Sequence, residues 1–143
     1  MKLISTDFSQ GQEIPLKFTC DGENVPPTLR WVGFPPQTES FALSCIDRDS
    51  KAGTWKHWLI VNIPPAVHDV SSQKEIVGDE LENDFGEKGY GGPCPEKGEH
   101  RYFFTVYALD VPELRDVNKE NFEKRVKEHK IVSAGLMSKY KRN

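Results

Sequence analysis

At 143 residues, 29% of them charged and 10% aromatic, with a formal net charge of −3, the chain has the length of one domain and enough apolar side chains for a core. The nearly balanced, slightly acidic charge gives no electrostatic footprint for nucleic acid. No apolar run approaches the roughly 18 residues that span a bilayer, so stable membrane insertion is not expected. Met1-Lys2-Leu3-Ile4 is broken at once by Ser5, Thr6 and Asp7, which does not read as a secretory leader, and a cytoplasmic protein is expected.

Taken in chain order, apolar alternation predicts strands over 2–7, 14–19, 28–33, 40–47, 56–63, 101–109 and 131–140. Turn chemistry such as Asp21-Gly22-Glu23-Asn24 and Gly33-Phe34-Pro35-Pro36 separates them. In SFALSCIDRDS, Cys45, Asp47 and Asp49 share parity, with the two carboxylates at the strand's end. In TWKHWLIVNIPP, the row Trp55, His57, Leu59, Val61 alternates with Lys56, Trp58, Ile60, Asn62, and Pro64-Pro65 ends the run. Residues 75–87 carry six acidic and no basic side chains and read as a solvated loop with at most short strand pieces. From Gly89 a loop dense in glycine and proline runs into a strand on which His100, Tyr102, Phe104 and Val106 form one row. A helix is predicted over Lys119 to His129, with Asn118 as N-cap and Phe122 and Val126 facing inward. From Asn118 onward eight Lys/Arg stand against three Asp/Glu, read as a solvated helix face and a charged terminus.

Three strands thus bring ionisable groups to their ends: Asp47 and Asp49, His57, then His100 with Tyr102. Such a set suits capture of a small anion. The donors would be the two imidazoles, the Tyr102 hydroxyl and N–H groups near Gly91 and Gly92. A carboxylate that accepts from one ring nitrogen favours imidazolium, which then donates from the other; a free carboxylate would meet the amine of a zwitterionic ligand. Arg101, of opposite parity, is expected in a structural ion pair. Tyr90 either closes over the pocket or packs the loop, and His68 and His129 are assigned to the surface. Cys20, Cys45 and Cys94 are an odd, widely spaced set without C-x-x-C, so neither a disulfide framework nor structural zinc is expected. Two His and two Asp in separate segments do not make a metal site, and no metal or cofactor is expected. A rival reading is a hydrolase in which Cys94 acts with His57 or His100 and Gly91-Gly92 forms an oxyanion hole. Against it, Cys94 lies between two prolines with no helix N-terminus to lower its pKa.

Asp47-x-Asp49, Trp55-x-His57-Trp58 with an Asn62-Ile63-Pro64 exit, Gly89-Tyr90-Gly91-Gly92-Pro93-Cys94-Pro95 and Gly98-x-His100-Arg101-Tyr102 together resemble the phosphatidylethanolamine-binding protein family, also called the Raf kinase inhibitor family, in its bacterial and archaeal branch. The resemblance implies an all-β, antiparallel Greek-key β-sandwich with one or two short helices, a single domain over residues 1–143. It implies a non-enzymatic pocket that accepts phosphate, acetate or a phosphorylated head group, formed by Asp47, Asp49, His57, Gly92, Pro93, His100 and Tyr102. Regulation of a kinase and inhibition of a serine protease are implied as alternatives, and a homodimer as an assembly open to the prokaryotic branch. One departure stands out. The family's Asp-Pro-Asp-x-Pro is replaced by Asp47-Arg48-Asp49-Ser50-Lys51, which removes two rigid φ angles and adds two cations close to the expected mouth.

Overall fold

A computed structural model of the chain describes residues 1–142. Eight strands appear in order: β1 (Lys2–Ser5), β2 (Leu29–Val32), β3 (Ser40–Ser50), β4 (Gly53–Ile63), β5 (Asp69–Val70), β6 (Asp79–Glu80), β7 (Glu99–Leu109) and β8 (Lys130–Lys141). One helix, α1 (Phe122–His129), sits between β7 and β8. The strands form two antiparallel sheets, a small one ordered β1-β2-β5 and a large one ordered β6-β4-β3-β7-β8. The chain crosses between the sheets after β2, β4 and β5, which makes β3 and β7 neighbours although they are far apart in sequence.

Two apolar clusters follow from this layering. Between the sheets, Leu3, Leu29, Trp31 and Val70 from the small sheet meet Phe41, Leu43, Cys45, Trp58, Ile60, Phe104 and Val106 from the large one. On the other face of the large sheet, Ala42, Leu59, Val61 and Leu109 are covered by Leu114 and by Phe122 and Val126 of α1. Each fully buried large apolar side chain contributes roughly 1.5–3 kcal/mol to this packing. The large sheet is therefore buried on both faces, as its nearly continuous apolar strands require.

Several elements differ from the sequence expectation. Residues 14–19 form no strand; Leu16–Phe18 make a single 3-10 turn. Pro15 supplies the carbonyl for the Phe18 N–H, and the Thr19 hydroxyl bonds back to the Leu16 carbonyl, so local hydrogen bonds displace a ladder. Ile14 and Phe18 are buried, but Leu16, which completed the alternation, faces solvent. The helix begins three residues later than expected. Asn118 nevertheless accepts from the N–H groups of Glu120 and Asn121, at 3.0 and 2.9 Å, capping the turn that leads into it. The acidic segment holds one short strand piece, β6, as expected, but the stretch after it is tied down rather than solvated. Asn83 is buried, and its side chain bonds the Gly89 carbonyl and the N–H groups of Phe85 and Glu87.

The cysteines require a correction. Cys20 and Cys94 form a disulfide across 74 residues, with Cα atoms 5.4 Å apart, while Cys45 is free and buried. Spacing along the chain hid this, because proximity arises only when the Gly89–Pro95 loop folds onto the 3-10 turn. There the Cys20 N–H donates to the Pro93 carbonyl at 3.1 Å.

Candidate functional site

The site begins with a bulge. Cys45 pairs with Trp58 and Ile46 with Lys56, so His57 is an extra residue on β4. The alternation shifts there by one. Trp55, His57 and Trp58 all turn toward the inter-sheet side, whereas Leu59 and Val61 face α1, so the expected row Trp55, His57, Leu59, Val61 is split. On β7 no such shift occurs between His100 and Val106. His100 and Tyr102 continue the row of Phe104 and Val106 as expected, and Tyr102 pairs across the ladder with Asp47.

These residues meet in a cavity of about 330 Å³ at the end of the large sheet. Its wall contains Asp47, His57, His100 and Tyr102, together with Ser50, Lys51, Trp55, Phe85, Pro95, Glu96 and Lys97, and the Cys94 half of the disulfide. Four of the seven expected residues are thus brought together. Asp49, Gly92 and Pro93 do not line the cavity. Asp49 makes a bidentate pair with Arg101, both contacts at 2.9 Å, which fulfils the expected ion pair and holds the Asp49 carboxyl below the usual range.

Inside, each histidine is oriented through one nitrogen. His57 Nδ1 lies 2.6 Å from the Gly91 carbonyl and so carries the proton that donates to it, leaving Nε2 for a ligand. Burial pushes the His57 pKa below its ordinary value of 6.5, only partly offset by the Gly91 carbonyl and by Asp47. His100 Nδ1 donates to Asp47 Oδ2 at 2.7 Å, again leaving Nε2. The other oxygen of Asp47 accepts the Asp49 N–H at 2.8 Å, so the carboxylate is held from both sides. The Tyr102 hydroxyl is buried and has no hydrogen-bond partner among the described residues. Burial, then the nearby Asp47 charge, push its pKa far up, so it stays a neutral donor.

The loop's end, Cys94 and Pro95, lines the cavity, but its glycine amides are engaged within the protein. The N–H of Gly91 donates to the His57 carbonyl at 3.0 Å and that of Gly92 to Asn24 Oδ1 at 2.7 Å, so neither is free for an anion or an oxyanion. Its glycines are needed for close approach: a Cβ on Gly91 would stand 2.5 Å from the Phe85 ring, and one on Gly92 2.2 Å from the Phe18 carbonyl oxygen. Tyr90 packs the loop, donating to the Phe18 carbonyl at 2.6 Å and lying edge-on to Trp58. The hydrolase reading fails at its nucleophile, since the Cys94 sulfur is bonded to Cys20. His68 is exposed, and His129 lies outside the cavity, bonded to Asp110.

Of the aromatic wall, Tyr102 and Trp55 lie in rows that the sequence shows, but Phe85 was missed. Phe85 lies edge-on to both Trp55 and His57, with ring centroids 5.6 and 5.2 Å apart, and stays 46% exposed. Its placement depends on the Asp84 carboxylate accepting the Lys56 N–H at 2.7 Å and on Asn83, contacts that no local pattern announces.

Residues 4–141 match the family model for phosphatidylethanolamine-binding protein. A UPF0098 protein of Methanothermobacter thermautotrophicus is 40% identical, over 99% of both chains. One from Aquifex aeolicus is 37% identical, over 100% of this chain and 90% of its own. Among solved structures, a phosphatidylethanolamine-binding protein homologue of Chlamydia trachomatis superposes with a TM-score of 0.92 at 34% identity, over 99% of this chain and 97% of that one. YbcL of Escherichia coli superposes with the same TM-score at 28% identity, over 99% and 98%.

Proposed function

We propose, on the premise that the chain belongs to the phosphatidylethanolamine-binding protein family, that it binds a small anion or phosphorylated head group without turning it over. The observation that carries this reading is the buried, unpartnered Tyr102 hydroxyl, set in one cavity with two imidazoles whose Nε2 atoms are free. An unsatisfied buried hydroxyl costs about 1–3 kcal/mol, and a ligand oxygen would recover that cost. Asp47 acts as a positioning residue that fixes the His100 ring through Nδ1 and leaves Nε2 to the cavity. His57 becomes a second donor when an arriving anion draws a proton onto it. The non-enzymatic reading rests on the bonded Cys94 and on the engaged Gly91 and Gly92 amides, which deprive the cavity of a thiol nucleophile and of an oxyanion hole. Regulation of a protein partner would then follow from ligand occupancy of the cavity.

Calorimetric titration with phosphate, acetate and phosphoethanolamine tests this. Saturable one-site binding that is lost in His57→Ala is expected. Absence of binding by the unsubstituted protein contradicts it. Cytoplasmic placement is part of the same proposal, with the bridge as its constraint: disulfides persist mainly in oxidising compartments, hyperthermophile cytosols excepted. Thiol alkylation of protein at the moment of lysis decides between these, a fully reduced Cys20–Cys94 pair favouring a reducing cytosol.

A further inference from the structure

The two cations that replace family residues near the mouth part company in the fold. Arg48 turns outward, 3.8 Å from Glu123 and over the Phe103 ring, and is absent from the cavity wall. Lys51 lines the cavity from the β3–β4 turn, and Lys97 lines it from the opposing segment before β7. Among the described residues no carboxylate stands within ion-pair distance of either ammonium, so neither charge is neutralised by a direct contact. Glu96 is the one rim carboxylate. The rim of Lys51, Lys97 and Glu96 therefore carries a net charge of +1, and inside it the Asp47 carboxylate is already engaged by His100 and the Asp49 N–H.

Resting on the anion-binding reading, we propose that Lys51 and Lys97 set ligand selectivity, so that the cavity takes phosphate monoesters carrying a second negative group in preference to zwitterionic ones such as phosphoethanolamine. The phosphoryl group meets Tyr102 and the imidazole Nε2 atoms, while the rest of the ligand leaves between two ammonium groups. There a carboxylate is attracted from both sides, and an alkylammonium is repelled by two lysines and met by Glu96 alone. At separations of several ångströms in an open mouth, reversing one ligand charge beside a net rim charge is a modest effect, on the order of fivefold to tenfold in affinity at low salt.

The two chemistries are compared with a nearly isosteric pair, phosphoglycolate and O-phosphoethanolamine, titrated beside inorganic phosphate in low and high salt. Phosphoglycolate is expected to bind about fivefold to tenfold more tightly than phosphoethanolamine. The preference should vanish or invert in Lys51→Gln/Lys97→Gln, where Glu96 leaves the rim at −1, and in the unsubstituted protein it should shrink with added salt. Equal affinities, or tighter phosphoethanolamine, with phosphate still bound would overturn the selectivity while leaving the anion pocket standing. If none of the three binds, the pocket and its selectivity fall together.

Discussion

Asp47 and Asp49 share a strand and a parity, yet the first orients His100 within the cavity and the second clamps Arg101 outside it. Substituting them should separate two effects. Asp49→Ala should lower stability by about 1 kcal/mol, the upper end for an exposed, well-aligned pair, and leave phosphate affinity nearly unchanged. Asp47→Ala should weaken phosphate binding about tenfold or more, because His100 loses the partner that orients its ring. Denaturant midpoints paired with calorimetry read both. Tyr102→Phe removes a hydroxyl that no described residue bonds, so it should stabilise the ligand-free protein, by up to about 1–3 kcal/mol, while lowering phosphate affinity. His57 sets a pH dependence. Its folded pKa lies below the ordinary 6.5, so between the two values the unfolded chain holds more protons, and stability falls as pH drops through that window. The contribution is fully present above about pH 6.5, and His57→Gln should flatten it in thermal melts from pH 7.5 to 5. Phosphate binding should run the opposite way, weakening from pH 6 to pH 8 as the proton drawn onto His57 becomes harder to supply. Arg101 shows how parity alone separates a structural from a cavity residue: it lies one residue from His100 and on the other face.

Among the elements, the bulge in β4 and the disulfide decide the cavity, and neither was legible. Alternation in TWKHWLIVNIPP reads equally well without an inserted residue, because His57 and Trp58 are both acceptable on an inward face. The Cys20–Cys94 bridge closes a long loop and ties one cavity wall to the 3-10 turn. A loop spanning 74 residues corresponds to about 4 kcal/mol in the chain-entropy account, so the denaturant midpoint should drop sharply on reduction and in Cys20→Ala/Cys94→Ala. An unchanged midpoint would show that the two sulfurs are not joined in solution. What could be read locally was read well on β7, where strict alternation from His100 to Val106 is uninterrupted and its partners pair without a shift. The misread segment 14–19 has the same apolar alternation, but Pro15 and Thr19 redirect its hydrogen bonds inward.

At the scale of the whole molecule, one twice-covered sheet carries the cavity groups on β3, β4 and β7, braced by α1 on one face and the small sheet on the other. The seven expected strands and one helix agree with the all-β class that the resemblance implies, and six of the seven strands form. The four residues that meet in the cavity were visible as ionisable groups at strand ends. Phe85, Glu96 and Lys97 were not, because their place depends on loops positioned by distant contacts such as Asn83 and the disulfide. The chain has four histidines, two in the cavity and two outside it, which supply their own control. The most direct measurement is therefore an imidazole NMR titration with inorganic phosphate. The account predicts saturable shifts of the Nε2 signals of His57 and His100 with a single dissociation constant, while His68 and His129 stay still. Unmoved cavity histidines, or shifts confined to His68 and His129, would contradict it.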